Sequence, residues 1–180
     1  MEEMKKSSEE KLIKKAIRGS DQAFTQLIMH YKEYLYRTAW LYCKDQEVAL
    51  EAVQECVARS YEKIVTLREP ALFRTWLTRI LLNAVTDQYR KQSRLIYLEE
   101  QPEQAAREEH ISQEEKMDLH AAVERLPEKQ RVAVILKYFQ DLKISEISAI
   151  MEIPEGSVKA YLHQARKRLR EDLGREENYA

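Results

Sequence analysis

Residues 154–169 read "PEGSVKAYLHQARKRL", and how this stretch folds decides the architecture around it. At about 100° per residue, Val158, Leu162, Ala165 and Leu169 fall within roughly 60° of one another and make one apolar stripe. Such a stripe requires a core. Lys159, His163, Arg166 and Arg170 cluster on an adjoining face, which Ala160, Gln164 and Lys167 continue. That face is left to solvent or to a ligand.

Working outward, Ile144, Ile147 and Met151 form a second, shorter apolar stripe that ends just before "EIPEG", residues 152–156. Pro154 favours a helix start, Gly156 tolerates close packing or unusual backbone angles, and Ser157 can bond nearby backbone donors. The pattern predicts two short helices joined by a tight turn. A third helix is available in "RVAVILKYF", residues 131–139, where Val132, Ile135, Leu136 and Phe139 share a face. Packed on that helix, the pair is a helix-turn-helix whose second member offers its basic side to a major groove. The alternative from these residues is a helical hairpin with a merely solvated basic side.

Of the 180 residues, 44% are apolar and 34% charged, with three Gly and four Pro. That leaves little material for a many-turned β fold, so an all-α chain is expected. No run approaches about 20 consecutive apolar residues, and the start "MEEMKKSSEEK" lacks the apolar stretch of a signal peptide. A cytoplasmic protein, not inserted in a membrane, is expected. Cys43 and Cys56 stand thirteen apart without partners at metal-ligand spacing, which reads as reduced thiols on helices. His30, His110, His120 and His163 are scattered. With no phosphate-binding Gly loop, metal cluster or nucleophile-base constellation, an enzyme is the least expected class, and no cofactor is called for.

The net charge of −1 conceals segregation. Residues 1–94 hold 17 Lys and Arg against 13 Asp and Glu, residues 95–118 hold 2 against 8, and residues 119–180 hold 11 against 10. The acidic middle, with weak hydrophobic periodicity, reads as a flexible linker between two small helical domains.

The first domain reads as four helices. Ser7 and Glu10 resemble a capping box before Leu12, Ile13, Ala16 and Ile17, and Gly19 is placed to stop that helix. After Asp21, the residues Phe24, Leu27, Ile28, Tyr31, Leu35, Ala39 and Tyr42 hold one face until Asp45 offers the next cap. From Gln46 to about Val65, Ala49, Ala52, Val53, Cys56, Val57 and Ile64 point one way, while Glu51, Glu55 and Glu62 point the other. The acidic face suits either solvent or a basic partner, and like charges at i, i+4 gain nothing from each other. A fourth helix, roughly residues 71–92, buries Phe73, Leu77, Ile80 and Ala84. Beside that stripe lie Trp76, Arg79 and Asn83, an indole, a guanidinium and an amide able to stack on and hydrogen-bond an unpaired base.

Four pieces in order resemble the extracytoplasmic-function (ECF, group IV) sigma factors of the sigma-70 family. They are "DQEVALEAVQECVARSYEKI", "FRTWLTRILLNAVTDQYRKQ", the poorly patterned linker, and "LPEKQRVAVILKYFQDLKISEISAIMEIPEGSVKAYLHQARKRLR". The resemblance implies that residues 1–94 are sigma region 2, which docks on the β′ clamp helices of bacterial core RNA polymerase and opens the minus-ten element. It implies that residues 119–180 are region 4, a helix-turn-helix that reads the minus-thirty-five element of promoter DNA. Glu51, Gln54 and Glu55 then face the clamp helices. Asn83 falls where the family holds a flipped minus-ten base, supported by Trp76 and Arg79, with the 66–73 loop above. Ser157, Lys159, Ala160, His163, Gln164 and Arg166 fall on the duplex-reading helix, and Lys167 and Arg170 suit phosphates. An anti-sigma factor is implied as a further partner.

The sequence also departs from the family. Tyr161 and Gln164 stand where many relatives carry Arg, and Thr78 where an aromatic residue is frequent. Gln can pair with adenine N6/N7 where Arg would favour guanine or phosphate, so a shifted minus-thirty-five preference is expected. Two other classes remain open: a stand-alone helix-turn-helix regulator that binds its operator unaided, and a purely helical adaptor.

Overall fold

The computed structural model describes residues 6–99 and 121–176. They divide into two compact units, split after Leu95. Among the described residues every regular element is helical, so the all-α expectation holds.

The first unit has four helices: α1 (Lys6–Ile17), α2 (Asp21–Cys43), α3 (Gln46–Lys63) and α4 (Phe73–Glu99), with 3₁₀ turns at Ile64–Thr66 and Pro70–Leu72. Ser7 is already helical and so does not cap α1. Gly19, at φ 91°, stops α1. Its N–H donates to Ala16 O at 2.9 Å and the Ser20 N–H donates to Lys15 O at 3.1 Å, the paired closing bonds of a Schellman end. The Ser20 hydroxyl then accepts from the Ala23 N–H and opens α2. Lys44 ends α2 in the left-handed region, and the Asp45 carboxylate accepts from the Val48 N–H at 2.9 Å to start α3. Such caps contribute about 1 kcal/mol each.

α2 is central and packs on α1 and α3. It buries Phe24, Leu27, Tyr31, Leu35, Ala39 and Tyr42, while Ile28 is half-buried. Against it α3 buries Ala49, Ala52 and Cys56, and α4 buries Phe73, Leu77, Ile80, Leu81, Ala84 and Val85. Each fully buried Leu or Phe is worth roughly 1.5–3 kcal/mol of transfer from water. Polar contacts fix the register of the apolar faces. The Tyr31 hydroxyl donates to the Glu9 carboxylate, tying α1 down, and Phe73 meets Tyr31 edge-on at 5.4 Å. Thr78, wholly buried, shares a 2.7 Å hydrogen bond with the Tyr34 hydroxyl. A tyrosine from α2 thus reaches a buried hydroxyl on α4.

α4 runs seven residues past the end expected from periodicity, into the first residues of the expected linker; residues 100–118 of that linker lie outside the described residues.

In the second unit, residues 121–124 are helical. α5 (Glu128–Val134) then opens into a π-helical turn over Ile135–Phe139, followed by α6 (Ile144–Met151) and α7 (Glu155–Glu176). α7 packs on both α5 and α6. Val132, Ile135, Leu136, Ile147, Ile150, Val158, Leu162 and Ala165 form the core. The π turn leaves Phe139 only half-buried, and Ile150 replaces Ile144 and Met151 as the buried partner of Ile147. The α6–α7 turn also differs from expectation. Glu152 takes the left-handed conformation at φ 55°, and the Ser148 hydroxyl donates to Ile153 O at 2.6 Å across the turn. Gly156 has no unusual φ, and a Cβ added there would meet nothing within 4 Å.

Candidate nucleic-acid interface

α7 separates its two kinds of residue cleanly. Val158, Leu162 and Ala165 are buried, whereas Lys159, Ala160, His163, Gln164, Arg166, Lys167 and Arg170 are exposed and Ser157 is half-buried. The helix starts on Pro154, whose carbonyl accepts from the Ser157 and Val158 N–H groups. Its first turn contains no Lys or Arg before Lys159, so the cations gather from the second turn onward. His163, Arg166, Lys167 and Arg170 line one surface depression. Their local contacts are weak: Lys167 lies 4.0 Å from Glu171, and the Arg166 Nε donates to Leu162 O at 3.4 Å. Exposed pairs of this kind contribute little and release readily to a stronger anion. Gln164 is different, because its Oε1 accepts a 2.9 Å hydrogen bond from Nε2 of Gln130 on α5.

On α4, Trp76 and Arg79 are half-buried and Asn83 is exposed, the three spaced three and four residues apart along the same helix. Trp76 rests against Phe73 at 5.8 Å between ring centroids. Arg74 sits 4.8 Å over the Tyr34 ring, so the start of α4 is fixed by aromatic packing. In the preceding segment, Ile64 and Leu67 are buried while Val65 and Leu72 are exposed.

On α3, Glu51 and Gln54 are exposed and Glu55 is half-buried. Sequence reading placed Glu55 on an acidic face but missed its partner. Arg59 donates from Nε to Glu55 at 2.7 Å and from Nη1 to Asp87 of α4 at 2.8 Å. One guanidinium therefore holds a carboxylate on each of two helices. The i, i+4 spacing of Glu55 and Arg59 was readable; the long-range bond to Asp87 was not. Leu50 is an exposed apolar side chain on the same helix.

The buried thiols offer no reactive group. Burial pushes Cys56 up to about 12 and raises Cys43, which keeps both neutral near pH 7. Among the described residues, no group of three or more His, Cys, Asp or Glu could hold a metal, and no helix is long and apolar enough to cross a membrane.

Comparison with known proteins supplies the context for these surfaces. Residues 27–95 match sigma-70 region 2, and residues 116–169 match sigma-70 region 4. The RNA polymerase sigma factor SigV of Bacillus subtilis is 31% identical over 153 residues, covering 83% of this chain and 90% of that protein. The ECF RNA polymerase sigma factor SigM of Mycobacterium tuberculosis is 30% identical over 169 residues, covering 93% and 85%. Two solved structures share the fold. CnrH in complex with the cytosolic domain of CnrY has a TM-score of 0.70 at 21% identity, covering 92% of this chain and 97% of that one. The sigma factor RpoE of Bartonella quintana, in complex with the anti-sigma factor NepR, has a TM-score of 0.69 at 24% identity, covering 84% and 96%. With regions 2 and 4 in order along one helical chain, and relatives matched over most of their length, the chain belongs to the ECF RNA polymerase sigma factors of the sigma-70 family.

Proposed function

We propose that this sigma factor binds bacterial core RNA polymerase through the α3 face bearing Glu51, Gln54 and Glu55, with the basic β′ clamp helices as its partner. Residues 1–94 act as the polymerase-binding and minus-ten domain, residues 119–180 as the minus-thirty-five domain, and residues 95–118 as the acidic linker between them. Trp76, Arg79 and Asn83 receive an unpaired minus-ten base. Extruding that base costs a few kcal/mol, which stacking and edge hydrogen bonds must return. Ser157, Lys159, Ala160, His163, Gln164 and Arg166 approach the base edges of the minus-thirty-five duplex, while Lys167 and Arg170 neutralise phosphates. The protein works in the cytoplasm by binding and strand separation, not by bond chemistry of its own. An anti-sigma factor is a further partner, a reading supported by the complex of RpoE with NepR.

The observation that carries the duplex-reading assignment is the division of α7 into a buried apolar stripe and an exposed basic face. The assignment is tested by transcription from a promoter library with core polymerase. The wild-type chain should direct initiation from a defined subset, and the Lys159→Ala/Arg166→Ala/Arg170→Ala variant should lose it while still binding core. Undiminished selectivity in that variant would contradict the role given to α7.

A further inference from the structure

We propose that Gln130 is a positioning residue for promoter reading: its buried carboxamide holds Gln164 so that the amide nitrogen of Gln164, rather than its oxygen, is offered to the base edges. This rests on α7 being the duplex-reading helix. Gln130 belongs to α5, is only 6% exposed, and donates from Nε2 to Oε1 of the exposed Gln164 at 2.9 Å. The bond takes up one acceptor site of Gln164. Among the described hydrogen bonds, none engages the Gln164 Nε2.

The buried end of the pair fixes its polarity. Turning Gln164 alone would set its N–H donors against those of Gln130. Turning both amides would let Gln130 Oε1 accept from Gln164, but would bury the whole amino group of Gln130 without an acceptor. In the observed arrangement the orphan is instead Gln130 Oε1. Buried orphan N–H groups are rarer than under-satisfied carbonyls, so the observed polarity is the favoured one.

The polarity dictates what Gln164 can read. Its N–H donors suit acceptors in the major groove: guanine O6 and N7, thymine O4 and adenine N7. Cytosine presents its N4 amino group there and offers such a donor nothing. Gln130 occupies one of the two lone pairs on the Gln164 oxygen and ties that oxygen back toward α5, so adenine N6 could reach only the remaining lone pair. The expected signature is therefore a bias against cytosine at one position, where that base presents no acceptor to the outward N–H groups.

The test uses the reconstituted holoenzyme with a duplex library randomised across the minus-thirty-five element, read by sequencing the transcribed templates. The wild type should disfavour cytosine at one position by about tenfold. Gln164→Ala should remove that bias. Gln130→Met, of similar shape but without the donor, should remove most of it at the same position only, and should change nothing further in the Gln164→Ala background. Gln130→Glu supplies a second variant: a carboxylate can only accept, so Gln164 must turn its oxygen outward and the bias should move toward cytosine and adenine. The proposal falls if Gln130→Met, still melting cooperatively, keeps the wild-type bias. It also falls if Gln164→Ala alters no position, even though promoter-directed transcription stands. Failure of the wild-type holoenzyme to select any template would instead defeat the reading of α7 itself.

Discussion

The basic face of α7 and the acidic face of α3 are built in opposite ways. On α7 the cations project from one helix with weak local contacts, such as the 4.0 Å separation of Lys167 and Glu171. On α3, Glu55 is held by Arg59, which reaches across to Asp87 on α4. Side chains proposed to neutralise phosphates, as Lys167 and Arg170 are, need charge more than orientation. A surface that must meet shaped protein needs its carboxylates in fixed places, and a guanidinium bridging two helices fixes them.

The difference is open to attack from both sides. The largest effect is expected at the bridge. Arg59→Ala removes two charge-assisted hydrogen bonds at a partly exposed site, so unfolding free energy should fall by roughly 1–2 kcal/mol. Core polymerase affinity should fall as well, measured by denaturant melts and by titration of labelled core. Unchanged affinity in a folded variant would mean that Glu55 needs no positioning. On α7 a single neutralisation should act differently. Lys167→Ala should leave stability within about 0.5 kcal/mol, weaken every promoter alike, and reduce the salt slope of holoenzyme binding by about one. A change of preferred sequence would contradict a phosphate role. A third substitution should leave promoter choice alone and raise stability. Gly156→Ala places a methyl group in open space on helical backbone, and should stabilise the chain by about 0.5–1 kcal/mol in the same melts.

Much of this architecture was legible from periodicity and capping. The six-turn stripe from Phe24 to Tyr42 predicts α2, Asp45 predicts the start of α3, and Gly19 predicts the end of α1. Exposure along α7 could also be read, since the apolar stripe leaves one side for the cations. Features made by tertiary contacts could not. Nothing local distinguishes Arg59 from any other helical arginine until Asp87 arrives from 28 residues away. The pairing of Gln130 with Gln164 joins positions 34 residues apart. Turn chemistry misled in one place. Gly156 drew attention as the flexible residue, whereas Glu152 carries the left-handed backbone and Ser148 closes the turn by bonding Ile153. The π turn at Ile135–Phe139 was not legible either, because a plain 3.6-residue period would have put Phe139 on the same face as Ile135 and Leu136.

The central claim, that the acidic face of α3 docks this sigma factor on polymerase, is tested most directly by co-elution with bacterial core RNA polymerase on a sizing column, with Glu51→Lys/Glu55→Lys alongside. The wild-type chain should move to the elution volume of core, and the charge-reversed chain, still folded, should elute alone. Co-elution of both, or of neither at micromolar concentrations, would contradict it.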